Sequence, residues 1–208
     1  KKNKQLRFDL ISLKEKNNKI LIKGLDLNKN FKIISVKKAN INYTNNHKVL
    51  NKFKLKKDKS IFIIEGESFD ASRIINNIMD SDEESSLFFD NLNSKINIKI
   101  KKTYIDEINY INNLNGHIDY VNNKVSNLKL DSEFPNKKRI SLSIKTKNNS
   151  ETLTRLFSGY PKPLVKRYDF INGFEDGYMD FYSSKKEGVS NSVLVIDNFK
   201  VKEVPAFA

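Results

Sequence analysis

Residues 95–101 read KINIKIK. In an extended chain successive side chains point to opposite sides, so Ile96, Ile98 and Ile100 share one face. Asn97, Lys99 and Lys101 share the other. That period of two is what a strand with one apolar and one wet face requires. It recurs along the chain. RISLSIK at 139–145 aligns Ile140, Leu142 and Ile144, and KFKLKK at 52–57 sets Phe53 and Leu55 against Lys52, Lys54 and Lys56. GHIDYV at 116–121 and SNLKLD at 126–131 are shorter examples. Two further runs, SIFIIEG at 60–66 and SVLVIDNF at 192–199, are apolar on consecutive positions and suit strands covered on both faces.

Between these runs lie NNK (17–19), YTNNHK (43–48), INNLNG (111–116), YVNNK (120–124) and KNN (147–149). Asparagine tolerates left-handed backbone angles, so each cluster is expected to turn the chain where glycine is scarce. Two segments break the period. SFDASRIINNIMDSDEE (68–84) carries Ile74, Ile75, Ile78 and Met79 at helical spacing behind Ser68 or Asp70 as a cap. NSETLTRLFSGYP (149–161) places Leu153, Leu156 and Phe157 after Ser150 and ends on Gly159 and Pro161, as a stopped helix would. A further helical turn is expected at PLVKRYDFI (163–171). The expected architecture is mainly β with a few short helices: a curved antiparallel meander forming a groove-like layer.

Composition narrows the function. The 208 residues include 14 Phe and 8 Tyr but only 7 Gly and 4 Pro, enough aromatic mass to pack despite a mean hydropathy of −0.58. The net charge of +13 suggests an acidic partner. The heavy use of Lys, Asn, Ile and Phe is also what an A+T-rich coding sequence produces, and that accounts for much of the charge. With no cysteine there is no disulfide, thiol nucleophile or Cys-based zinc site. No stretch approaches the roughly 20 apolar residues of a membrane span.

Catalytic groups find little footing. His47 and His117 both read as surface turn residues, and no nucleophile elbow, zinc-helix motif or phosphate loop is present. The acidic run DSDEESS (80–86) lacks the glycine and distal glutamate of a calcium loop and reads as a solvated helix end. Asp106 and Glu107, adjacent in an extended chain, would face apart. No catalytic residue, metal ligand or cofactor is expected. Lys52, Lys54, Lys56 and Lys59, the pair Lys99 and Lys101, and the cluster Lys137, Lys138 and Arg139 raise a basic nucleic-acid-binding module as an alternative. Such sheets mix aromatic platforms with basic residues on one face. Here the aromatics alternate away from the lysines, which makes nucleic acid the less favoured partner.

The C-terminal third carries more specific features. NGFEDGYMDFYSS (172–184), followed by SVLVIDNFKVKEVPAFA (192–208), resembles the C-terminal region of AsmA-like proteins, in particular the large alphaproteobacterial members related to YhdP and TamB. The matching positions are Gly173, Phe174, Gly177, Asp180, Tyr182, Asp197, Phe199, Val204, Pro205, Ala206 and Phe207. GESFDASRII (66–75) is similar to the family's strand running into Asp-Ala and a short helix. The likeness covers about residues 60–208, and the insert GYPKPLVKRYDFI (159–171) departs from it.

The resemblance implies a non-catalytic periplasmic segment of an inner-membrane-anchored protein of Gram-negative bacteria. Its anchor would lie outside this chain, and residues 1–208 would be one segment of a longer β-groove. The partners implied are phospholipid acyl chains moving toward the outer membrane, together with other envelope proteins. On the strand patterns, the groove-lining candidates are Ile96, Ile98, Ile100, Ile140, Leu142, Ile144, Val193 and Val195. The same apolar faces are what a closed core would present, and pattern alone leaves both readings open.

Overall fold

The computed structural model describes residues 5–75, 92–147, 151–167 and 174–201. Twelve strands form one mainly antiparallel sheet in which each strand lies beside its sequence neighbour. The first half comprises β1 (Leu6–Glu15), β2 (Asn18–Leu27), β3 (Ile33–Thr44), β4 (Leu50–Asp58), β5 (Ile61–Asp70) and β6 (Ser94–Tyr104). The second comprises β7 (Tyr110–Val121), β8 (Lys124–Glu133), β9 (Arg139–Lys147), β10 (Glu151–Ser158), β11 (Phe174–Lys186) and β12 (Val189–Val201). The sheet is curved and unclosed, so β1 and β12 are both edges. Ten ladders are antiparallel and one, β5 to β6, is parallel. A parallel step needs a crossover connection, and helical residues 72–75 (α1) begin it. A second helix, α2 (Lys162–Arg167), follows β10.

The meander follows from the turn chemistry. Asn122 and Asn123 both take left-handed angles (φ 50° and 65°), the pair of positive values that a two-residue hairpin loop requires. Asn123 also exchanges backbone and side-chain hydrogen bonds with Leu92, which pins the end of the crossover beside that hairpin. Asn45 closes the β3–β4 loop by accepting from the backbone N–H groups of His47 and Val49 on its Oδ1.

Three expectations are corrected. Residues 151–158 are not helical but form β10, held between β9 and β11. The spacing of Leu153, Leu156 and Phe157 imitates a helical stripe, yet ladders on both sides satisfy the backbone of an extended chain. INNLNG is not a turn but part of β7, where Asn113 (φ 56°) and Gly116 (φ 155°) mark an irregular stretch against β8. SVLVIDNF is not covered on both faces: it belongs to edge strand β12, and Val193 is 58% exposed. The helix expected over 68–84 is described only at 72–75, and the one at 163–171 corresponds to α2.

Two apolar clusters anchor opposite ends of the sheet. In the first, Phe62 on β5 joins Leu25 and Val36, at least two strands away, with Ile22, Leu55, Leu92 and Ile96 packed around them. Gly24 (φ 59°) lets β2 slip out of strict alternation here, so that Ile22 and Leu25 reach the same cluster. In the second, Ile105, Ile111 and Phe134 gather Ile75, Leu114, Ile140 and Tyr160. Side chains from non-adjacent strands of a single layer meet in this way on the inside of a bend.

Gly116 sits where β8 comes closest against the backbone of β7. A Cβ there would lie 1.9 Å from the Lys129 carbonyl oxygen and 2.9 Å from Leu130 Cα, both backbone atoms that cannot swing aside. At Gly188 (φ 82°) a Cβ would meet nothing within 4 Å. Gly116→Ala is therefore expected to cost about 3 kcal/mol or more, from overlap plus backbone strain. Gly188→Ala should cost only about 1 kcal/mol, from the left-handed angle alone. Urea unfolding of the two variants checks this, and equal midpoints would contradict the close packing at Gly116.

Candidate functional site

The register assembles one row of side chains that crosses the whole sheet. From β1 to β6 the directly opposed residues are Ile11, Ile22, Ala39, Leu55, Ile64 and Ile98. From β7 to β12 they are Gly116, Leu130, Leu142, Leu156, Phe181 and Leu194. Opposed residues in a ladder share a face, so this is an apolar line interrupted only by a glycine. At a strand spacing of about 4.8 Å it extends for about 50 Å. Apart from buried Ala39 and exposed Leu194, its side chains are half-buried. They are shielded by one another and by the bend, and they remain reachable.

One residue further along each strand the chemistry inverts. The opposed residues on the other face begin Leu10, Lys23, Lys38, Lys56, Ile63 and Asn97. They continue as His117, Lys129, Ser143, Arg155, Tyr182 and Val193. Three lysines from β2, β3 and β4 stand directly side by side in this row. Some outer charges are matched, Lys52 with Glu67, Arg139 with Asp131 and Arg155 with Asp180, whereas Lys129 and Lys145 form no ion pair among the described residues. The wet face is therefore basic and only partly laced with acids.

Six of the candidate groove residues lie together on the apolar face. Ile98 and Leu142 are in the central row. Ile96 and Ile144 are in the next row, joined through Ile118 and Leu128. Ile100, opposite Leu114, is only 2% exposed, and Ile140 packs on the second cluster. Val193 and Val195 do not join them. They oppose Tyr182 and Asp180 and so project from the outer face, whereas Leu194 and Ile196 are the residues that β12 contributes to the apolar side. Alternation within β12 pairs Val193 with Val195, but only the chain of ladders back to β6 decides which side they occupy. Leu156, Phe181 and Leu194, which the strand patterns did not single out, complete the row.

Among the motif positions, Gly177 takes φ 79° opposite the β12 stretch holding Asp197 and Phe199, where a Cβ would lie only 2.6 Å from the Asp197 carbonyl oxygen. Phe174 opens β11, while Gly173 and Pro205 lie outside the described residues. The outer face also holds aromatics, contrary to expectation: Phe157 stacks near Tyr178 at 6.5 Å, and the Arg155 guanidinium lies 4.9 Å over the Tyr182 ring.

The histidines differ in setting. His47 sits in the β3–β4 turn, its Nδ1 3.1 Å from Glu107. His117 is not in a turn but within β7, its Nε2 2.9 Å from the Asn127 amide. Asp106 and Glu107 lie in the β6–β7 loop rather than in extended chain, and Asp106 accepts from the backbone N–H groups of Ile108 and Asn109. The acidic run 80–86 lies outside the described residues. Among the described residues no group of three or more His, Cys, Asp or Glu side chains is placed to hold a metal ion. None of their helices is long and apolar enough to cross a membrane.

Comparison with known proteins returned no matching family model, no matching curated protein and no matching solved structure.

The β1 edge of the apolar row is tied down from the outer side. Arg7 Nε donates to Asp26 Oδ1 at 2.9 Å, and Ser35 Oγ donates to Oδ2 at 2.8 Å. The hydrogen bond from Arg7, and then that from Ser35, hold the Asp26 carboxyl below the usual aspartate range. A carboxylate with a lowered folded value stabilises fully above the ordinary aspartate range, and its contribution is lost as pH falls through that lowered value. Amide protection in β1 should therefore weaken on acidification, modestly because the pair is solvent-screened. Asp26→Asn should remove that pH dependence. Hydrogen exchange in β1 that responds to acid identically in the two proteins would refute the assignment.

Proposed function

We propose that this chain is a non-catalytic β-groove segment that carries phospholipid acyl chains along its apolar face. In this reading it stands on the periplasmic side of the inner membrane, anchored through a segment outside residues 1–208, and serves lipid transport toward the outer membrane as AsmA-like proteins do. The single observation behind it is the central row from Ile11 to Leu194, uninterrupted by any polar side chain on the inside of a curved, open sheet. The resemblance of residues 60–208 to AsmA-like C-terminal regions supports it from the sequence.

The energetics suit transfer rather than storage. An acyl chain leaving water for this face gains about 0.8 kcal/mol per methylene buried. Leaving a bilayer it gains close to nothing, because the lipid interior is equally apolar. A conduit works near that balance, since a tail held more tightly than in the membrane would not move on. An open trough with half-buried walls also leaves the lipid a lateral way in and out.

A basic nucleic-acid-binding module remains the second reading, favoured by the Arg155–Tyr182 stack and the outer lysines. The acids Asp180 and Asp131, which already occupy Arg155 and Arg139, weaken it. Binding of single-stranded DNA or RNA that falls steeply with salt would favour this reading over the first.

Photocrosslinking in cells separates inner from outer positions. Probes at Ile98, Leu142 and Phe181 should capture phospholipid, and probes at Lys56 and Ser143 should not. Leu142→Asp should lower co-purifying lipid several-fold, because a carboxylate would interrupt the central row. Ser143→Asp, one residue along on the wet face, should leave it unchanged. Equal crosslinking from both faces, or lipid-free protein, would overturn the proposal.

A further inference from the structure

The apolar face is not uniform along its strands, and the change in chemistry falls at one place. Beyond the central row, toward the β9–β10 and β11–β12 connections, β10 to β12 replace aliphatic side chains with hydroxyls. The next row runs Ile144, Thr154, Ser183, Ser192, and the last runs Thr146, Thr152, Lys185, Ser190. The hydroxyls are in mutual contact: Ser192 Oγ donates to Ser183 Oγ at 2.9 Å, and Ser183 and Ser190 are also 2.9 Å apart. Those contacts show that the three serines share one face, which the ladders place on the inside. On β5 and β6 the corresponding row stays apolar at Phe62 and Ile96.

Within these two inner rows the charge has one sign. In these two rows the charged side chains are Lys57, which lies 5.5 Å over the Phe62 ring, and Lys185. Among the described residues Lys185 is exposed and forms no ion pair. The nearest carboxylate in sequence, Glu187, is exposed in the β11–β12 turn outside these rows, and Glu151 on β10 accepts from Ser184 Oγ at 2.8 Å on the opposite face. An unopposed ammonium beside a bank of hydroxyl donors is the chemistry that receives a phosphate or carboxylate.

Resting on the proposed lipid-carrying function, we infer that the β10–β12 end of the inner face is a head-group site for an anionic amphiphile. The acyl chain would lie on Leu142, Leu156 and Phe181. The anionic head would take Lys185 as counter-ion and hydrogen bonds from Thr152, Ser183 and Ser190. The trough thereby selects a charged head and sets the direction in which a tail lies.

The test uses the full chain and two probes with the same acyl chain, a lysophosphatidylglycerol and an uncharged monoacylglycerol, each displacing a fluorescent fatty-acid ester at low salt. The anionic probe should bind about tenfold more tightly, the gain of one charge-assisted contact. Lys185→Gln should remove that preference while leaving monoacylglycerol affinity unchanged. Lys185→Arg should keep it, and Lys57→Gln should not alter it. Inorganic phosphate alone should fail to displace the ester, since the head contact without the tail is weak, and displacement by it would overturn the amphiphile in favour of a plain anion site. Equal affinity for the two probes in the unaltered protein, or a preference that survives Lys185→Gln, would overturn the head-group site while leaving the lipid-carrying trough standing. Failure of both probes to bind would overturn the trough and the site together.

Discussion

Eleven backbone ladders decide which side chains share a face, and every other property of this protein depends on their staying in step. A one-residue slip in any ladder would move all the apolar residues beyond it to the wet side. Connections of two to five residues hold most of the registers, because a short turn leaves no slack. The exceptions are the β5–β6 crossover, which lies in a pair whose apolar residues match without interruption (Phe62 with Ile96, Ile64 with Ile98), and the longer β10–β11 connection through α2.

A sheet of this width twists and tends to curl. The irregular positions give it shape. Gly24 lets β2 turn over, Gly66 lies against the Phe53 backbone where β4 and β5 lose register, and Gly116 lies against Lys129. At Gly66 and Gly116 a Cβ would overlap backbone, so these sites admit only glycine without rearrangement. The scarcity of glycine thus becomes informative: several of the seven stand where strands approach too closely for a side chain. The two clusters, at opposite ends and opposite halves of the sheet, keep the bend on the apolar side.

The two faces answer to different solvents. The inner face offers methyl and methylene groups across the sheet, and the outer face offers lysines set among asparagines and acids. Salt bridges between exposed partners contribute little to stability. Here they offset part of the positive charge of the outer face. A wall with hydrocarbon on one side and hydroxyls at one end of that same side is suited to molecules that are themselves divided in this way.

The amino-acid sequence by itself determined the strands with clean alternation and the side-chain sets within each one. KINIKIK and RISLSIK contain their own answer, since period two needs no partner to be read, and YVNNK carries the turn that its asparagines can adopt. It did not determine β10, where Leu153, Leu156 and Phe157 fit a helical stripe as well as a strand until β9 and β11 claim the backbone on either side. Nor did it determine the side occupied by Val193 and Val195, because a strand's internal alternation says nothing about its phase relative to a strand six places away. Only the tertiary structure decided those points, since facing is transmitted from strand to strand through hydrogen-bonded register. That register joined Leu142, Leu156, Phe181 and Leu194 into one row and placed Lys185 among hydroxyls two rows beyond it.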